Sequence, residues 1–172
     1  MKHIAKNGSK YDFITINGQY ISAKTTKGCN KVCPQVIGQA TKKKFCELCI
    51  LPLSSTDENI KQYIISNIKT LIMHYYNNTF NCDIIYYNKK KNILQVIKKK
   101  TNILFNEYLF AFSHIDKKKE WKESSTLKII LNNKKISIGE FQIHIKRNSI
   151  KFRWCFANIL NLFKDNFNII HL

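Results

Sequence analysis

Four cysteines lie close together near the start of this chain, and clustering of this kind strongly restricts how a segment can fold. They form two pairs, Cys29 with Cys33 and Cys46 with Cys49, and twelve residues separate the pairs. Four thiolates can complete the tetrahedral shell of one Zn²⁺ ion. The spacing therefore predicts a structural zinc site made by Cys29, Cys33, Cys46 and Cys49.

The cysteine segment resembles zinc ribbons in general terms, with two departures. The first pair has three intervening residues instead of two, and neither pair is followed by the glycine that commonly relieves the tight turn. Buried free thiols are the main alternative. A redox pair at Cys46 and Cys49 is a further alternative, but Pro52 would break the helix that such a pair needs to lower a thiol pKa.

The chain is strongly basic, with a formal charge of +18 from 29 Lys and Arg against 11 Asp and Glu. Such a charge attracts phosphate polymers and predicts a nucleic-acid partner, DNA or RNA. Lys, Asn and Ile are also the residues that A/T-rich codons supply, so genome composition is a competing explanation. We expect an intracellular protein, nuclear or cytoplasmic and not secreted, with no membrane partner, because neither a signal peptide nor a long apolar run is evident.

The hydrophobic patterns predict an α+β fold. Strands should flank Asn17-Gly18, and a long amphipathic helix should begin at a Ser55 cap and end near Asn77. Beyond it we expect an antiparallel sheet, with a hairpin turn at Asn132-Asn133, and a closing C-terminal helix. The apolar stretch from Asn102 to Ile115 suits either a buried helix or a strand, and its length favours a helix. The predicted division is residues 1–53, a β-hairpin with the zinc-ribbon-like loop packed on the rest, and residues 54–172, an α+β core.

The clearest alternation in the chain runs from Glu140 to Trp154. Apolar residues should point into the core, and polar residues should share the opposite face of two strands. This face gathers basic side chains that could neutralise successive phosphates, and it includes both arginines of the chain. The predicted nucleic-acid-binding residues are His144, Lys146, Arg147, Lys151 and Arg153.

For function, the sequence favours a non-catalytic, zinc-stabilised nucleic-acid-binding accessory factor of transcription or replication, from an A/T-rich DNA virus or a parasite. One alternative is a protein-interaction module or host-factor antagonist that uses the zinc loop to bind a protein partner. Another is a small Mg²⁺-dependent nuclease in which Asp83 on one strand pairs with Glu140 and Gln142 on another. No catalytic residue is assigned under the favoured hypothesis.

Overall fold

The structure is a computed structural model that describes residues 1–6, 9–27, 31–34 and 37–172. It confirms the α+β prediction, since the described part of the chain contains twelve strands in two sheets and five α-helices. The strands are β1 Lys2–His3, β2 Phe13–Ile14, β3 Tyr20–Thr26, β4 Lys31–Val32, β5 Gln39–Thr41, β6 Asp83–Asn88, β7 Ile93–Lys99, β8 Leu109–Phe112, β9 Ser124–Leu131, β10 Lys134–His144, β11 Ser149–Cys155 and β12 Phe167–His171. The helices are α1 Lys42–Cys49, α2 Asp57–Ser66, α3 Ile68–Thr79, α4 Ser113–Asp116 and α5 Phe156–Leu162.

The first sheet has the strand order β1-β2-β3-β6-β7-β12. Its pairs are antiparallel except that of β3 with β6, which is parallel. The second sheet has the order β4-β11-β10-β9-β8, and β5 also pairs with β11. Strands from the first 53 residues therefore pair with strands from the remainder in both sheets. The division at residue 53 stays a prediction.

Helix α3 lies against the inner face of the second sheet and extends the core toward the first. Tyr75 stacks on Phe152 with ring centroids 4.4 Å apart and meets Phe141 edge-on at 5.9 Å. On the next position of the helix, Tyr76 approaches Phe167 of β12 at 6.4 Å. Aromatic contacts of this kind add to the stabilisation from burial. One buried core thus supports both sheets.

A buried hydrogen-bond relay attaches α3 to β11. The Trp154 indole donates to the Thr79 hydroxyl at 2.8 Å, and that hydroxyl donates to the Tyr75 carbonyl at 2.7 Å. Leaving a buried polar group unpaired is costly, so these hydrogen bonds stabilise the contact. The relay holds in place the strand that carries Lys151 and Arg153.

Several elements differ from the sequence predictions. The long helix is divided at Asn67 into α2 and α3, and its cap is Thr56, not Ser55. Residues 102–115, predicted as a helix, form a short 3₁₀ turn, strand β8 and helix α4. The chain continues past its last helix into β12, which joins the first sheet. Within the described residues, no helix is both long enough and apolar enough to cross a membrane.

Candidate nucleic-acid interface

The hairpin of β10 and β11 fixes which side chains share the outer face of the second sheet. Its register pairs Glu140 with Arg153, Gln142 with Lys151 and His144 with Ser149. Residues paired across antiparallel strands project to the same side, while their sequence neighbours project to the other. Phe141 and Phe152, on the inner side, are fully buried. The strands and alternation predicted between Glu140 and Trp154 are therefore present.

Glu140 holds two cations on this outer face. One of its carboxylate oxygens, Oε2, accepts from Lys31 Nζ at 3.0 Å and from Arg153 Nη2 at 2.5 Å. Gln142 donates to the same oxygen at 3.3 Å. Burial favours the neutral acid, but the hydrogen bonds from Lys31 and Arg153 outweigh it and keep the pKa of Glu140 below its usual value. The carboxylate is therefore ionised at neutral pH and partly neutralises both cations.

Further positive charge gathers around Cys33, which follows β4. Burial raises the pKa of the Cys33 thiol, and nearby Lys151, Arg153 and Lys24 partly oppose that rise. Lys24 belongs to β3 of the first sheet, and burial lowers its pKa. Cations from both sheets thus approach one another here. On the second sheet itself, Glu140 supplies one negative charge against Lys31, Lys151 and Arg153, so the outer face remains positive among the described residues.

The turn between β10 and β11 adds two exposed cations. Lys146 and Arg147 lie in a single 3₁₀ turn, Ile145–Arg147, and both are exposed. Asn148 follows with a φ of 46°, a left-handed conformation that Asn tolerates and that lets the chain reverse into β11. Neither Lys146 nor Arg147 forms an ion pair with a residue that the structure describes. We call Lys31, Lys146, Arg147, Lys151 and Arg153 the basic face.

The sequence analysis missed Lys31 and the carboxylate of Glu140 as parts of this face. A signal for Glu140 was available, because a hairpin centred between Lys146 and Arg147 places Glu140 opposite Arg153. No local signal pointed to Lys31, which lies 109 positions from Glu140 along the chain. Assignment of His144, Lys146, Arg147, Lys151 and Arg153 to nucleic-acid binding stays a prediction.

The zinc-ribbon-like loop is absent from the described residues. Cys46 and Cys49 lie in helix α1, where Cys46 is fully buried in the core. Burial raises the pKa of both thiols and so disfavours the thiolate, which is the form that binds zinc. Cys33 lies beside β4, and Cys29 falls outside the described residues.

No three His, Cys, Asp or Glu side chains among the described residues form a group that could hold a metal ion. The described residues therefore do not support the prediction of a metal-binding protein. The physical reason is local: Thr41 caps α1 by accepting from the Lys44 amide, so the Lys triplet at 42–44 begins a helix instead of forming a loop. A structural zinc ion as cofactor stays an untested prediction.

The strand pair suggested for a Mg²⁺-dependent nuclease is not formed. Asp83 lies in β6 of the first sheet, where its carboxylate pairs with Lys98 at 3.0 Å. Glu140 lies in β10 of the second sheet, and its carboxylate forms ion pairs with Lys31 and Arg153. The two carboxylates therefore belong to separate ion pairs on separate sheets.

Comparison with known proteins gives one informative relative. The chain is 45% identical over 170 residues to the type II restriction enzyme CviAII of Paramecium bursaria Chlorella virus 1. The match covers 98% of this chain and 48% of that enzyme, so the chain spans about half the length of its relative. No family model and no solved structure matches the chain.

This similarity overturns the prediction of a non-catalytic accessory factor. That prediction rested on the net charge and on the presumed zinc loop. The similarity does not test the alternative of a protein-interaction module. Charge indicates an affinity for phosphate, but it carries no information about whether bond cleavage follows binding. The similarity to CviAII, a type II restriction enzyme, extends over nearly the whole chain.

Proposed function

We propose that this chain works in a virus-encoded enzyme that cleaves DNA, and that its basic face contacts the DNA backbone. The observation that carries the proposal is the 45% identity to a viral type II restriction enzyme across 98% of the chain. A viral source also agrees with the Lys, Asn and Ile-rich composition. The whole relative is about twice as long, so the proposal concerns this chain's part in such an enzyme.

The spacing of the basic face suits a phosphate backbone. Residues two apart on one strand lie about 6.6 Å from each other, so Lys151 and Arg153 are separated by roughly that distance along β11. Duplex DNA presents one phosphate per about 3.4 Å of axial rise on each strand. The two cations can therefore follow one DNA strand over about two phosphates.

The rigidity of this part of the structure also supports the proposal. The strand β11 is paired on both sides, by β10 and by β4 and β5, and its inner side chains are buried. The backbone of such a strand loses little further freedom on binding, which lowers the entropic cost of association. Lys146 and Arg147 extend the face beyond the end of the sheet, where a duplex can approach without meeting the core.

Salt-dependent binding to a labelled duplex tests the backbone contacts. The variant Lys146→Gln/Arg147→Gln/Lys151→Gln removes three charges that form no ion pair within the described residues. Each lost phosphate contact should reduce the slope of log K against log salt by about 0.9, so the triple variant should lose about 2.7. The matched control is Lys89→Gln/Lys90→Gln/Lys91→Gln, which removes three exposed lysines from the turn between β6 and β7.

The control should keep the unmodified slope. Equal losses in both triple variants would show that total charge, not the basic face, determines binding. Cleavage is measured in parallel on plasmid DNA with Mg²⁺ and again with a chelator. Absence of salt-dependent DNA binding by the unmodified protein would refute the proposed function, whatever the variants do.

A further inference from the structure

A small polar cavity of about 120 Å³ lies beside the turn that joins β10 and β11. Two isoleucines form part of its wall, and the other lining residues are polar: Lys42, Asp57, His144, Asn148 and Ser149. The cavity adjoins Lys146 and Arg147 of the basic face, because Asn148 follows them directly. A DNA backbone that crosses this turn would therefore pass the opening of the cavity.

The Ser149 hydroxyl in the cavity wall is buried and unpaired. Ser149 is only 8% exposed, and its Oγ has no hydrogen-bond partner among the residues that the structure describes. A buried hydroxyl without a partner is unfavourable, so such groups are rare unless something else pairs with them. The unpaired hydroxyl therefore indicates that the cavity binds a group that can accept a hydrogen bond.

The other groups around the cavity favour an anion as that bound group. Lys42 is the first residue of the eight-residue helix α1, and backbone N–H groups at a helix N-terminus favour negative charge. The Lys42 amide donates to the Asn148 carbonyl at 2.9 Å, which ties the helix to the turn. The imidazole of His144 and the amide of Asn148 can supply further donors.

Among the described residues that line the cavity, Asp57 is the one carboxylate, and it forms an ion pair with Lys42. Lys42 Nζ donates to Asp57 Oδ1 at 2.9 Å, and both side chains are partly exposed. Ion pairs at such exposure contribute little stability, so a stronger anion can share or displace this one. Asp57 should therefore weaken anion binding without preventing it.

We infer that this cavity binds one phosphate group of the DNA backbone, with the Ser149 hydroxyl and the Lys42 ammonium as its donors. The inference rests on the proposed function and specifies one contact within it. The basic face would bind the backbone through charge, and the cavity would fix its position through a directed hydrogen bond. Phosphate contacts that include such hydrogen bonds set the register of a protein on its duplex.

Three single substitutions test the cavity by equilibrium binding to a labelled duplex over a range of salt concentrations. Ser149→Ala should weaken binding by about tenfold, as expected for one hydrogen bond to a charged group, and it should leave the salt slope unchanged because no charge is removed. Lys42→Gln should weaken binding and lower the slope by about 0.9. Asp57→Asn should tighten binding, because it frees Lys42. The control Ser66→Ala removes an exposed helical hydroxyl and should change nothing.

The outcomes separate the inference from the proposed function. If the unmodified protein shows no salt-dependent binding, the proposed function fails. If it binds and the triple variant of the basic face is weakened, but Ser149→Ala and Asp57→Asn bind like the unmodified protein, only the cavity inference fails. Ser149→Ala should also keep its melting temperature, since it removes an unpaired hydroxyl; a marked decrease would assign the hydroxyl a structural role and overturn the inference.

Discussion

Replacing Glu140 with Gln should separate the structural role of this carboxylate from its effect on DNA binding. The change keeps the size of the side chain and removes the negative charge that pairs with Lys31 and Arg153. The Glu140 side chain is 11% exposed, and those of its partners are 30% and 23% exposed. Exposed pairs contribute up to about 1 kcal/mol, and breaking a buried pair costs about 3–5 kcal/mol. We expect an intermediate loss of about 2 kcal/mol at pH 7.

The stability difference should depend on pH in one direction. The pKa of Glu140 is lower in the folded protein than in the unfolded chain, so its contribution is complete above the unfolded pKa. Below about pH 4.3, the usual value for Glu, that contribution should decline as the pH falls toward the folded pKa. Stability is measured by urea unfolding at several pH values between neutral and acidic. The control Glu120→Gln removes an exposed carboxylate and should not change stability.

DNA binding provides the second readout of Glu140→Gln. With the carboxylate gone, the basic face gains one net positive charge within a Debye length of Arg153. Binding to duplex DNA at low salt should therefore become tighter at a temperature at which the variant is folded. A stability difference that stays constant down to strongly acidic pH, or a folded variant that no longer binds DNA, would refute this account of Glu140.

Three further substitutions or measurements test the fold that supports the basic face. Thr79→Val leaves the buried Trp154 indole N–H unpaired and should cost about 2 kcal/mol, or about 4–8 °C in melting temperature; an unchanged melting temperature would contradict the relay. Gly139→Ala places a Cβ 2.6 Å from the Phe152 ring, so it should cost about 1–3 kcal/mol by overpacking, measured by urea unfolding. Cys46, fully buried with a raised thiol pKa, should resist alkylation in the folded protein and react after unfolding, as mass spectrometry would show.

Local sequence patterns predicted the turns correctly where neighbouring residues alone determine the backbone conformation. The turn at Asn17-Gly18 is present, with Gly18 at a φ of 78°. Asn132 and Asn133 both have positive φ values between β9 and β10, as a tight hairpin turn requires. At Asn132-Asn133 both turn residues adopt a conformation that most residues avoid, whereas at Asn17-Gly18 only Gly18 does. The signal is therefore carried by one or two adjacent positions.

Predictions failed where a distant segment decides the outcome. Residues 102–115 are dense in apolar side chains, which suits either a buried helix or a buried strand; pairing with β9 selects the strand β8. The last strand, β12, forms because it pairs with β7. At the break, Asn67 has a φ of −111°, and its side chain donates to the Tyr63 carbonyl at 3.0 Å, which also accepts from the Asn67 backbone amide at 2.9 Å.

The same distinction explains why the sequence predicted most of the basic face but not the acid that partly neutralises it. The alternation along β10 and β11 predicts which side chains share a face. The sign and strength of the electrostatic field at that face depend on which acidic side chains lie near it. Among the described ion pairs, Glu140 and Asp116 each hold two cations, so the few acids are concentrated on particular groups. With 11 acids against 29 basic residues, some cations must remain unpaired even if every acid held two. Lys146 and Arg147 are such cations, and the turn that carries them should therefore contribute more to phosphate binding than Arg153, which Glu140 already holds.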